Sequence, residues 1–167
     1  MREFSKVSPA LWASKRFNDL LSDDARYLYL YLLTCEHQTS AGVFKLKDGY
    51  AVEDLKWQLE RFTAARQHLI DAELIRFDAA TSVFLITRWF RHNPPMNDSH
   101  YKGVAKVIRK VPCEAFQQEA MTALTEAFDE VQVAKAIANG KSPPSPLSDA
   151  SPQLRAIAGR NGMRSAA

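Results

Sequence analysis

The chemistry-bearing side chains of this 167-residue chain are cations more than nucleophiles or metal ligands. Cys35, His37, His68, His92, His100 and Cys113 give one close couple only, Cys35-Glu36-His37, whereas a structural zinc site is built from two. No metal is expected. The sequence has no glycine-rich phosphate loop, no Gly-x-Ser-x-Gly elbow and no nucleophile spaced to a base. It therefore reads as a non-enzyme, with no catalytic residue and no cofactor. The cations, by contrast, are concentrated: residues 88–111 hold Arg88, Arg91, Lys102, Lys106, Arg109 and Lys110 against Asp98 alone. Such a cluster points to an anionic partner more than the overall balance does.

The element that must carry most of these cations is a helix. Pro94-Pro95 ends regular structure and Met96-Asn97-Asp98 opens a new segment. From Asn97 to Val111 the apolar positions Tyr101, Val104, Ala105, Val107, Ile108 and Val111 gather on one side. Lys102, Lys106, Arg109 and Lys110 occupy an arc opposite. Four cations on one arc can follow a phosphate backbone, each contact adding a salt-dependent, sequence-independent increment. The plainer alternative is a solubilising surface. His92 and His100 flank the region and read as surface or structural residues.

Upstream, Ser8-Pro9 places a capping hydroxyl before a first-turn proline, predicting a short helix over 10–17. Ser22-Asp23-Asp24 caps a helix over 23–35 that is apolar nearly all round and so expected to be buried; Tyr27 and Tyr31, four apart, offer a face to another subunit. Val43 to Leu46 alternates as a short strand before an Asp48-Gly49 turn. Two helices follow, over 51–57 and 59–71, the second with Phe62, Ala65 and Leu69 at helical spacing. The period then changes to two, and 75–78, a turn at 79–81 and 82–87 read as a β-hairpin. After the basic helix and Pro112, residues 114–138 carry Phe116, Ala120, Leu124, Ala127, Val131, Ala134 and Ala138 at spacings of three and four, a long acidic helix suited to packing or oligomerisation. From Asn139 on, Gly, Pro, Ser and Ala dominate, which predicts disorder.

Composition agrees with one globular core and a tail: 46% hydrophobic, 25% charged, net charge +3. That mild charge hides segregation. Residues 1–111 carry 17 basic against 13 acidic side chains, residues 112–138 carry 1 against 5, and residues 139–167 carry 4 against 1. No window approaches the roughly 18 apolar residues of a membrane helix. The N-terminal Met1-Arg2-Glu3-Phe4-Ser5-Lys6 lacks a secretory apolar stretch, so a cytoplasmic protein without membrane contact is expected. Cys35 and Cys113 fit it as buried thiols rather than a disulfide framework.

Helix, helix, helix and hairpin in this order describe a winged helix-turn-helix domain, placed at 1–93, followed by two helices over 94–138 and the tail. The fold class is mainly α with a small β-hairpin. In such a domain the second helix of the motif enters the major groove. With Phe62, Ala65 and Leu69 inward, Glu60, Thr63, Ala64, Gln67 and Asp71 face out, flanked by Arg61 and Arg66. Thr63 and Gln67 can reach base edges and Arg61 a phosphate or guanine, while Glu60 and Asp71 repel the backbone. Arg76, Arg88 and Arg91 around the hairpin favour nucleic acid.

Three stretches carry a resemblance. They are Lys6-Val7-Ser8-Pro9-Ala10-Leu11-Trp12; Ser22-Asp23-Asp24-Ala25-Arg26 with Tyr29-Leu30-Tyr31-Leu32-Leu33-Thr34-Cys35; and Arg88-Trp89-Phe90-Arg91-His92-Asn93-Pro94-Pro95-Met96-Asn97 with Lys102-Gly103-Val104. Together they make residues 3–111 resemble phage and prophage replication proteins, the winged-helix replisome organisers or DnaD-like initiators. That resemblance implies duplex DNA binding at an origin, homo-oligomerisation, and a C-terminal region that recruits a replicative helicase or its loader. It places Arg61, Thr63 and Gln67 of the 59–71 helix, with Arg76, on DNA. The chain departs from the family's pattern in its C-terminal part, where one acidic helix and a basic tail leave no room for a second compact domain. A transcriptional regulator of the same fold and a protein-interaction module without specific DNA binding are the competing readings.

Overall fold

The computed structural model describes Ser5 and residues 7–140. The expected tail, apart from Asn139 and Gly140, lies outside the described residues. The chain divides into two compact units at Asp129. Of the second, residues 130–140 are described, helical as far as Ala138.

Capping chemistry sets several boundaries. Ser8 accepts from the Ala10 amide and Pro9 opens a 3-10 turn, Pro9–Ala13. The single helix expected over 10–17 is not formed: Ser14 is extended and a separate turn of helix, α1, follows at Lys15–Asn18. Ser22 accepts from the Ala25 amide at 3.2 Å to start α2, Asp23–Thr34, with two aspartates at its positive end. α2 buries Ala25, Leu28, Tyr29 and Leu32 along one stripe, while Tyr27 is 58% exposed. It is thus amphipathic rather than enclosed.

Strand β1, Val43–Lys45, leads directly into α3, Asp48–Leu55. Asp48-Gly49, expected as a turn, is instead the first turn of that helix, where the carboxylate meets the positive end of the macrodipole. Lys56 closes α3 in the left-handed region at φ 55. Helix α4, Leu59–Asp71, follows after a three-residue break and buries Phe62, Ala65 and Leu69 as expected. It packs on α2, α3 and the next strand.

β2, Ile75–Asp78, and β3, Val83–Ile86, form the hairpin. Asp78 closes it by accepting from the Thr81 amide at 2.9 Å and from the Thr81 hydroxyl. β1 adds to the other side of β3, giving an antiparallel sheet of order β1-β3-β2, with Val43 opposite Leu85 and Phe77 opposite Phe84. The central strand has all four residues buried, consistent with its unbroken apolar run. Phe84 lies between Phe44 at 6.1 Å and Phe77 at 4.6 Å.

A four-residue helix that the sequence reading missed, α5 at Trp89–His92, follows β3. Trp89 is buried because Gly42 makes room for it: a Cβ there would lie 2.2 Å from the indole Cγ, and the backbone is at φ +66. The indole N–H donates to the Ser40 carbonyl at 2.9 Å. Asn97 then accepts from the His100 amide to cap α6, Asp98–Ile108. α7, Glu114–Ala138, buries Phe116, Ala120, Leu124 and Ala127. These join Val104, Ala105, Ile108 and Val111 in the same buried cluster as the sheet and α4. At the α6–α7 turn the Gln117 amide donates to the Arg109 and Val111 carbonyls, satisfying groups that α6 leaves open at its end.

Candidate nucleic-acid interface

The cations singled out by the sequence fall into two groups with opposite surroundings. In the first, each guanidinium is folded onto a carboxylate. Arg61 of α4 donates two hydrogen bonds to Asp24, from Nε at 2.8 Å and Nη2 at 2.5 Å, and lies 4.3 Å from the Trp57 ring centre. The bonds from Arg61 hold the Asp24 carboxyl below the usual aspartate range, and the guanidinium is in turn pushed up. Arg66 donates to Asp48 at 2.7 Å and stacks over Phe77 at 4.0 Å, its side chain only 13% exposed. Arg76 of β2 pairs with Glu119 of α7 and covers the Phe116 ring at 5.0 Å.

The polar residues between them are also engaged. Thr63 donates to the Glu60 carbonyl at 3.0 Å and the Gln67 amide to Asp71 at 2.7 Å. The turn of the hairpin, Ala79 to Ser82, carries no cation. The outward face of α4 is therefore neutral to acidic, with Glu60 and Asp71 exposed.

In the second group no described residue neutralises the charge. Lys102, Lys106, Arg109 and Lys110 are all exposed, and among the described residues no carboxylate pairs with them. Their placement follows from the buried stripe of α6, since Val104, Ala105 and Ile108 face the core and turn the intervening positions outward. Lys106, Arg109 and Lys110 also sit at the carbonyl end of the helix, where positive charge is favoured without a partner. Arg88 and Arg91 are exposed and unpaired among the described residues; both line a cavity beside α5.

The remaining candidates are structural. His100 Nδ1 accepts from the Met96 amide at 3.2 Å. His37 leans on Glu36 at 3.8 Å and on the Tyr50 ring at 5.2 Å. Cys35 is buried, which raises its thiol, and Cys113 is partly buried; neither is in a disulfide. Among the described residues no three His, Cys, Asp or Glu side chains are placed to hold a metal ion, and no helix is long and apolar enough to cross a membrane. Tyr31, expected to face a second subunit, donates to Asp54 at 2.6 Å; burial, and after it that bond, push the phenol up. Tyr27 stays exposed, with its ring 5.9 Å from Trp57.

What sequence reasoning missed is the set of neutralising acids, Asp24, Asp48 and Glu119. They lie 37, 18 and 43 residues from their partners, so no local spacing could reveal them. Compared with family models, curated proteins and solved structures, the chain finds no match.

Proposed function

We propose that this chain is a winged-helix DNA-binding protein of the replisome-organiser type, in which the basic face of α6 supplies the main grip on the duplex. The observation that carries the reading is the contrast in charge availability: Lys102, Lys106, Arg109 and Lys110 have no acidic partner among the described residues, while Arg61, Arg66 and Arg76 each have one. The element order α2-β1-α3-α4-β2-β3, with strands in the order β1-β3-β2, supports a winged helix with α4 in the groove-reading position. In this reading α4 reads bases weakly, through Thr63 and Gln67, and affinity comes from phosphates. The protein is cytoplasmic, acts as a homo-oligomer at an origin-like site, and passes the DNA to a replicative helicase or its loader.

The test is the salt dependence of binding to a labelled duplex. Four phosphate contacts give a slope of about −3.6 in log affinity against log salt, roughly a hundredfold loss between 50 and 200 mM. A variant carrying Lys102→Gln, Lys106→Gln, Arg109→Gln and Lys110→Gln should bind all sequences weakly and almost independently of salt. Sequencing of fragments recovered from sheared source DNA then separates an origin from a promoter. If the parent binds no duplex even at low salt, the reading fails, and the neutral face of α4 favours the protein-interaction module instead.

A further inference from the structure

A cavity of about 440 Å³ opens between the Pro9–Ala13 turn, α2, the end of β3 and α5. That volume falls within the roughly 300–1,000 Å³ of small-molecule sites. Leu11, Leu33, Leu74 and Ile86 give it apolar walls. Two features of its lining are not accounted for by packing.

The first is Tyr29. Its residue is only 7% exposed and its ring packs on Phe17 at 6.0 Å, yet its hydroxyl makes no hydrogen bond among the described residues. Burial of the ring pushes the phenol up to about 12, so its hydroxyl stays protonated and is available as a donor to the cavity that Tyr29 lines. The second is the pair Arg88 and Arg91, which line the same cavity without an acidic partner among the described residues. Their neighbour Arg16, by contrast, is committed to Glu73, at 3.2 Å from its carboxylate and 3.1 Å from its carbonyl. Arg88 is moreover held in the left-handed region, φ 56 and ψ 27, where a side-chain-bearing residue is strained.

An apolar wall alone would take a neutral guest. A duplex phosphate or free inorganic phosphate would meet the guanidinium groups but has no apolar body to cover the leucines. We propose that this cavity binds a small organic anion with an apolar body, its carboxylate or sulfonate held by Arg88 and Arg91, its body against Leu11, Leu33 and Ile86, and the Tyr29 hydroxyl donating to it.

The full chain, without DNA, is titrated with anilinonaphthalene sulfonate and with the uncharged phenylnaphthylamine, so the outcome is independent of the DNA-binding reading. The sulfonate should bind saturably at one per chain. Arg88→Gln with Arg91→Gln should weaken it about tenfold, the loss expected for charge-assisted hydrogen bonds, while the neutral dye is unaffected. Tyr29→Phe, which keeps the ring, should weaken the sulfonate by a smaller factor at unchanged thermal stability. Absence of saturable binding, equal affinity in the double variant, or parallel loss of both dyes overturns the proposal. Should the double variant fail to fold, an unchanged sulfonate affinity in Tyr29→Phe overturns it as well.

Discussion

Helices α4 and α6 both carry cations on their solvent side, and they use them differently. On α4 and the adjoining strand, guanidinium groups are drawn onto carboxylates and aromatic rings, and serve to join elements: Arg61 ties α4 to α2, Arg66 ties it to α3, and Arg76 ties β2 to α7. On α6 the charges are exposed, with no acidic partner among the described residues. A cation's presence in the sequence thus says little about whether it is available to a partner, because a paired charge has already exchanged its hydration for a fixed neighbour.

The largest expected effect tests the structural half of this contrast. Arg66→Ala removes a mostly buried guanidinium from over the Phe77 ring and leaves Asp48 without its partner. It should lower stability by about 2 kcal/mol, roughly a thirtyfold change in the folded-to-unfolded ratio, with no change in the salt slope of duplex binding. Denaturant titration beside binding measures both. A loss of salt slope in this variant would put Arg66 on DNA and erase the difference between the helices.

The contrast can also be broken from the other side. Asp24→Asn with Glu119→Gln removes the carboxylates that hold Arg61 and Arg76. If neutralisation is what silences them, two added phosphate contacts raise duplex affinity at low salt roughly tenfold. Unchanged affinity would mean that α4 and β2 lie away from the duplex.

A smaller effect is expected on α6 itself. Lys106→Gln should reduce the salt slope by about 1 while leaving stability within about 0.5 kcal/mol. Stability loss without a change of slope would make the α6 cations structural too.

The smallest effect is a titration. Because Arg61 lowers the folded-state Asp24 carboxyl, the pair stabilises the fold above the ordinary aspartate value, and that contribution disappears as pH falls through the lowered one. Arg61→Ala should return Asp24 to the ordinary range, read from its side-chain carboxyl by NMR. An unmoved Asp24 would remove Arg61 as the cause.

Several boundaries were legible in the sequence because they rest on local chemistry. Ser22 with Asp23 and Asp24 starts α2, the spacing of Phe62, Ala65 and Leu69 matches α4, and the Phe116-to-Ala127 stripe matches α7. The misses share a cause. Asp48-Gly49 satisfies turn chemistry as well as it satisfies a helix start, and Lys47 offers no side-chain cap to separate the two. Ser14 splits the first helix though nothing in the pattern marks it. α5 is too short to show a period, and its conformation depends on Trp89 fitting over Gly42, 47 residues earlier in the chain.

The sequence by itself therefore determined where α2, α4, α6 and α7 run, which side of α4, α6 and α7 is apolar, and where positive charge is densest, since caps and periodicity act within a few residues. Only the tertiary structure decided which cations are spent. Arg61, Arg66 and Arg76 meet acids that the fold delivers from 18 to 43 residues away, and Tyr29 of α2 comes to the same cavity as Arg88 and Arg91 of the α5 segment. Electrostatic interactions depend on distance in space, and distance in space is set by the packing of the core.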